Sequence, residues 1–109
     1  MQSGNYDIVI EKGSTFEKSL TVLNDDDTEY DLSSYVVDMQ IRTAEGDLIL
    51  DCEPYITIQT PNVLNIDIPA SASVNIVESA GEYQIEIKQG VKEYSILRGN
   101  VNLLKAIIK

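Results

Sequence analysis

The residues of this sequence that most suggest chemistry form an acidic run, NDDDTEYDLSSY, at positions 24–35. Carboxylates are ligands that Ca²⁺ prefers, so Asp25, Asp26 and Asp27 are candidate calcium ligands. The EF-hand spacing fails, because counting from the start of the run puts a tyrosine or a valine where that motif needs a glutamate. A looser calcium site stays open, but we favour a polar loop whose Asx side chains hydrogen-bond their own backbone. We therefore expect no obligate cofactor, with calcium as the one candidate ion.

Catalytic chemistry has few residues to draw on. The sequence contains no histidine and one cysteine, Cys52, which excludes Ser-His-Asp and Cys-His sites and zinc sites built from these ligands. No GxGxxG or GxxxxGK[ST] phosphate-binding motif occurs. Two carboxylate pairs, Glu82 with Glu86 and Glu45 with Asp47, are interpreted as solvated surface charge. Cys52 is predicted to be a small buried side chain, and the protein is predicted not to be an enzyme.

Composition and charge limit the partners. The 109 residues carry a formal net charge of −10 and are 43% hydrophobic, which suits one globular domain, residues 1–109, rather than an acidic disordered tail. The charge disfavours binding to nucleic acid or to anionic membranes and favours a basic protein partner. No stretch approaches the roughly 20 apolar residues that a membrane helix needs. The N terminus also lacks the pattern of a signal peptide. We expect no membrane insertion.

Alternation of apolar and polar residues dominates the chain and predicts β-strands. In GEYQIEIKQG, the apolar residues Tyr83, Ile85 and Ile87 alternate with residues that are charged or amides. About seven or eight such short strands, separated by turn signals, are typical of an antiparallel β-sandwich. The segment PASASVNIVES, residues 69–79, breaks the pattern and predicts one helical turn or a crossover loop. Core positions singled out by the alternation are Phe16, Tyr35, Met39, Ile41 and Tyr83.

Three glycines are predicted to have structural roles. Gly13 follows a lysine and marks a tight turn, and Gly99 interrupts the last strand, which suggests a β-bulge or a bend there. Gly81 lies two residues before Tyr83 at the start of a late strand. That spacing suggests a tyrosine corner, in which the phenol bonds backbone a few residues upstream and fixes a Greek-key crossing. The alternative is that Tyr83 is one more core aromatic residue.

The order of these segments resembles that in a group of small virion proteins of tailed bacteriophages, including the N-terminal module of upper baseplate proteins. The resemblance covers nearly the whole chain, from YDIVIEKGSTFEKSLTV to ILRGNV. None of its motifs is catalytic. One departure is Asp27, because similar proteins often have a glycine in this turn; either the turn differs or Asp27 adopts the left-handed conformation. The matching residues are Gly13, Thr15, Phe16, Tyr30, Asp31, Leu32, Tyr35, Met39, Gln40, Ile41, Arg42, Pro69, Ala70, Gly81, Tyr83, Arg98, Gly99 and Val101.

The resemblance implies an immunoglobulin-like β-sandwich that serves as a structural or docking part of a phage particle. The implied location is the virion, after synthesis in the bacterial host cytoplasm. Partners would be other phage structural proteins or further copies of the chain, in the tail or baseplate, the neck or a capsid-decorating layer. The alternative function is a carbohydrate- or receptor-binding module on the particle surface. Six tyrosines without any tryptophan favour that alternative only weakly.

The C-terminal segment VNLLKAIIK is the candidate docking segment. Leu103, Leu104, Ile107 and Ile108 make it more apolar than a free tail should be, and a strand of this kind can extend a neighbouring sheet. The alternative is that the segment is only the last core strand with a frayed end. The sequence is compatible with both interpretations.

Overall fold

Two β-sheets face each other in the computed structural model, which describes residues 4–105. A helix of four residues, α1 (Ala70–Ser73), and a 3₁₀ turn (Glu53–Tyr55) lie between strands. No helix in this described part of the chain has the length and apolarity to cross a membrane. The strands are β1 (Gly4–Asn5), β2 (Ile8–Glu11), β3 (Phe16–Thr21), β4 (Val36–Arg42), β5 (Leu48–Asp51), β6 (Ile56–Gln59), β7 (Val63–Ile68), β8 (Ala80–Gln89) and β9 (Lys92–Leu104).

The topology is that of an immunoglobulin-like sandwich. One sheet has the order β1-β9-β8-β4-β5, with β2 also paired to β9, and the other has the order β3-β7-β6. The connections from β3 to β4, from β5 to β6 and from β7 to β8 each pass from one sheet to the other. Two packed sheets with such crossings define the Greek-key sandwich. The predicted fold class is confirmed.

The larger sheet is mixed, and this corrects the expectation of purely antiparallel pairing. β1 and β2 run parallel to β9, with Ile8 opposite Val101 and Ile10 opposite Leu103. The other strand pairs are antiparallel. Side chains alternate with a period of two in both kinds of strand, so the sequence pattern reveals a strand without revealing its direction.

The core lies between the sheets and consists mainly of the residues that alternation selects. Met39, Ile41 and Tyr83 are at most 3% exposed, whereas Phe16 and Tyr35 are half-buried at its margin. The apolar side chains of both sheets therefore meet in one layer, and their burial is the main driving force for folding. The buried apolar residues are Ile8, Ile10, Leu32, Val37, Met39, Ile41, Cys52, Ile56, Leu64, Ile66, Ile68, Tyr83, Ile85, Ile87, Val101 and Leu103.

The bulge in β9 lies at Ile96 and not at Gly99, where the sequence suggested it. Ile85 pairs with Leu97 and Glu86 pairs with Ser95, which leaves Ile96 as the extra residue. Gly99 keeps the regular register, opposite Tyr83. The reason for a glycine at this position is close approach, because a Cβ atom there would overlap the carbonyl group of Tyr6.

The segment after β7 forms the predicted helical turn, α1, and is fastened to the turn before β3. The hydroxyl of Ser73, a fully buried side chain, accepts a hydrogen bond of 3.0 Å from the Gly13 amide. Gly13 has φ 79°, a left-handed conformation that suits glycine. The sequence alone did not identify Ser73, because its partner lies 60 residues away.

We predict that Gly99→Ala destabilises the fold by about 1–3 kcal/mol, the usual cost of inserting a methyl group where no space exists. The change should appear as a lower midpoint of urea unfolding followed by circular dichroism. Asn102→Ala is the matched control, because Asn102 is exposed on the same strand and surface substitutions are usually within about 0.5 kcal/mol. Equal midpoints for the two variants would contradict the predicted overlap.

Candidate functional site

The first half of the acidic run, residues 24–29, is an exposed loop stabilised by hydrogen bonds between its own residues. The Asn24 amide donates to the Thr28 carbonyl at 2.8 Å, and Leu23 forms a bridge with Glu29. Asp26 Oδ1 accepts hydrogen bonds from the Thr28 hydroxyl at 2.6 Å and the Thr28 amide at 3.2 Å. The hydroxyl bond, and then the amide bond, lower the pKa of the Asp26 carboxyl group. These are the backbone-directed Asx contacts that the polar-loop interpretation predicted.

Asp27 adopts the left-handed conformation, with φ 66°. This value resolves the two alternatives left by the missing glycine, because an aspartate tolerates that region better than most residues. The carboxylates of Asp25, Asp26 and Asp27 do not converge as a set within 4.8 Å. The geometry therefore gives no support to the calcium hypothesis for this loop, which stays a prediction.

The second half of the run anchors the chain to the core before β4. Leu32 is fully buried, and its amide donates to the Pro61 carbonyl at 2.7 Å. The hydroxyls of Tyr30 and Tyr35 lie 3.0 Å apart, and this hydrogen bond is the main cause that raises the pKa of Tyr30 to about 12. Asp31 Oδ1 accepts from the Ser33 amide at 2.9 Å. This half of the run is therefore structural.

Tyr83 is tied to the N-terminal segment and does not form a tyrosine corner. Its hydroxyl donates to the Tyr6 carbonyl at 2.5 Å, across 77 residues of sequence, rather than to backbone just upstream. Beside it, the Asn100 amide donates to Asp7 Oδ1 at 2.9 Å, so a side chain replaces a backbone acceptor between β1 and β2. Burial is the main cause that raises the pKa of Tyr83 to about 12. A bond between such distant segments has no local sequence signal.

The described part of the docking candidate divides between core and surface. Leu103 is 2% exposed and its amide donates to the Ser79 carbonyl at 2.9 Å, so it belongs to the last core strand. Leu104 is 47% exposed, while its carbonyl accepts from the Lys12 amide. Ile107 and Ile108 lie outside the described residues. Of the candidate docking residues that the structure describes, Leu104 is therefore the one whose side chain is accessible to a partner.

An acidic cluster that alternation did not reveal lies beside β5. Asp38, Asp51 and Glu53 have carboxylate oxygens within 4.8 Å of one another. Asp38 Oδ1 is buried without a hydrogen-bond partner, and Asp38 Oδ2 lies 3.9 Å from Lys88 Nζ. The sequence shows Asp38 on an outer face, but bringing it to Asp51 requires the register between β4 and β5, in which Gln40 is opposite Asp51.

Cys52 is fully buried, as predicted. Burial, followed by the charges of Asp51 and Asp38, raises the pKa of its thiol to about 12. Because the thiolate is the reactive form, this cysteine is unsuited to nucleophilic chemistry.

The outer face of the larger sheet carries a shallow polar groove of about 500 Å³, lined by residues that include Asn5, Glu82, Arg98 and Asn100.

No known protein family model and no curated protein matches this sequence. Among solved structures, the insect immune protein hemolin is similar with TM-score 0.47 and 14% identity over 99% of this chain and 27% of that chain. The N-terminal four Ig domains of Dscam1 isoform 6.9 give TM-score 0.42 and 15% identity over 94% and 23%. A family 123 glycoside hydrolase from Clostridium perfringens gives TM-score 0.37 and 11% identity over 97% and 24%. The chain spans about a quarter of the length of each.

We predict that Asp27→Gly leaves the protein as stable or increases the free energy of unfolding by up to about 1 kcal/mol, because glycine removes the cost of a left-handed side chain. Asp25→Gly is the control, since it makes the same charge change in the same loop without a positive φ. It should lower stability by about 0.5 kcal/mol through added chain entropy. Urea unfolding measures both, and a larger loss for Asp27→Gly would refute the strain argument.

We predict that Tyr83→Phe lowers the free energy of unfolding by about 1 kcal/mol at pH 7, through loss of the bond to the Tyr6 carbonyl. The folded state holds the Tyr83 proton more tightly than the unfolded state, where the pKa is 10.0. Stability due to Tyr83 is therefore complete below pH 10 and is lost as the pH rises towards about 12. Urea unfolding at pH 7, 10 and 11 should show a shallower alkaline loss for Tyr83→Phe.

Tyr55→Phe is the matched control for that series, because Tyr55 also packs against the core and its hydroxyl has no hydrogen bond within residues 4–105. Its stability should follow the parent protein at all three pH values. If Tyr83→Phe behaves like this control at pH 7, the hydroxyl bond contributes nothing to stability and its assigned role is wrong.

Proposed function

We propose that this protein is a non-enzymatic structural subunit of a tailed-bacteriophage particle, which docks with other subunits in the tail or baseplate, the neck or a capsid-decorating layer. The observation that carries the proposal is the ordered series of sequence motifs shared with small phage virion proteins over nearly the whole chain. Its partners would be other phage structural proteins or further copies of the chain, and its location the virion.

The roles of the matching residues are compatible with a docking module. Gly99 permits the close approach of Tyr6, Tyr83 bonds the same carbonyl, and Gly13 turns the chain into β3. These positions maintain a small, well-packed sandwich rather than a reaction centre. A protein whose motif residues mainly maintain its fold acts through its surfaces and edges, as a structural subunit does.

The polar groove on the larger sheet favours a second candidate function, binding of a carbohydrate or a surface receptor. Its amides, carboxylate and guanidinium offer hydrogen bonds of the kind that sugar hydroxyls use. A glycan array decides this question directly. Binding that is lost in Arg98→Ala would support the second candidate, and an empty array would count against it.

We predict that mass spectrometry of purified particles of the phage that encodes this chain detects it in a fixed ratio to the major tail or capsid protein. A structural subunit occupies symmetry-defined positions, so its copy number should stay constant between preparations. Washing the particles at high salt, followed by gradient purification, separates built-in subunits from adsorbed protein. Absence of the chain from washed particles would contradict the proposed function.

A further inference from the structure

The two sheets have four edges, formed by β1 with β2, by β5, by β3 and by β6. At three of these edges, the structure or the sequence contains features that hinder the addition of another strand. β3 points Lys18 inwards, where its ammonium group lies 4.5 Å from the centre of the Tyr6 ring. An inward-pointing charge on an edge strand is a common protection against edge-to-edge pairing. The N-terminal edge is interrupted between β1 and β2, where Asp7 replaces a backbone acceptor. β6 is a strand of four residues that lies between Pro54 and Pro61.

β5 is also a strand of four residues, and its register with β4 shifts between Ile41 and Arg42, so its length does not distinguish it from β6. What distinguishes β5 is an exposed apolar side chain beside a group of carboxylates. β5 pairs with β4 alone among the strands of the described chain, and its sequence is LILD. Leu48 is 50% exposed, while Ile49 and Leu50 are half-buried. A strand at the edge of a sheet presents backbone donors and acceptors to any chain that can align with it. Here they lie next to apolar side chains that an added strand would cover.

The charge beside β5 defines the chemistry of the added strand. Asp38, Asp51 and Glu53 crowd their carboxylates together, and Asp38 Oδ1 is buried without a partner. The nearest cation, Lys88 Nζ, is 3.9 Å from the other oxygen of Asp38. Repulsion among like charges is relieved by a cationic side chain placed among them. Self-association of two β5 strands has the opposite effect, because it adds a second chain whose net charge is also −10.

We propose that β5 is a docking edge for an extended segment of a basic partner subunit, which continues the larger sheet and places an Arg or Lys side chain on the Asp38–Asp51–Glu53 cluster. An apolar residue of the same segment covers Leu48. The inference rests on the proposed function for the identity of the partner as a particle subunit. Backbone bonds to β5 supply affinity, and the cationic contact selects a basic segment over an acidic one.

The test uses the full chain labelled with ¹⁵N and two capped octapeptides, one of alternating valine and arginine and the other with glutamate in place of arginine. The arginine peptide should shift the amide signals of Leu48–Asp51, and the glutamate peptide should not. Asp38→Asn and Asp51→Asn should each weaken binding of the arginine peptide about five- to tenfold. Asp25→Asn, with the same charge change at a residue outside this cluster, should leave it unchanged. Urea unfolding verifies that all three variants fold.

Shifts centred on β3, β6 or the loop at 24–29 would overturn the inference, as would equal affinity for both peptides or the absence of binding to either. These outcomes are distinguishable from failure of the proposed function. If the chain is a particle component but the peptides fail, only the docking edge is wrong. If the chain is absent from particles while the arginine peptide binds at β5, the docking edge stands and the proposed function is wrong.

Discussion

The structure depends on one constraint, that each strand buries one face against the opposite sheet while its backbone is satisfied by neighbouring strands. Interior strands such as β8 and β4 meet both requirements fully. The requirement on the backbone fails only at the ends of the sheets, where each edge strand has one side without a strand. Because all strands together build the core, the edges and the loops are the parts of the fold that are left free to contact other molecules.

The N-terminal segment shows how one edge is closed. β1 and β2 extend the larger sheet and run parallel to β9. Between these two strands, the Tyr6 carbonyl lies against Gly99 and accepts a hydrogen bond from the Tyr83 hydroxyl. The missing side chain at Gly99 and the buried phenol of Tyr83 are parts of the same arrangement. This arrangement positions the buried residues Ile8 and Ile10 of β2 in the core. It also leaves the edge of the sheet divided into two short strands, β1 and β2.

Much of the fold could be predicted from local pattern, and the limits have physical reasons. Alternation identified the inner faces of β4 and β8, because a period of two follows from strand geometry. It did not give strand direction in β1 and β2, nor the place of the bulge at Ile96. The cluster at β5 also escaped prediction. Asp38 and Asp51 become neighbours only through the register between strands, which no short stretch of sequence contains. The left-handed conformation of Asp27 was one of two alternatives that the sequence left open, because backbone conformation there is a local property.

We propose that the protein is a docking sandwich whose open edge is β5. Hydrogen–deuterium exchange, followed by proteolysis and mass spectrometry, of the free chain and of the chain in purified particles tests this claim most directly. The amides of Leu48–Asp51 that point away from β4 should exchange rapidly in the free chain and slowly in the particle. The amides of the loop at 24–29 should exchange rapidly in both. Unchanged exchange at β5 on assembly, with new protection at another edge or none, would contradict the account.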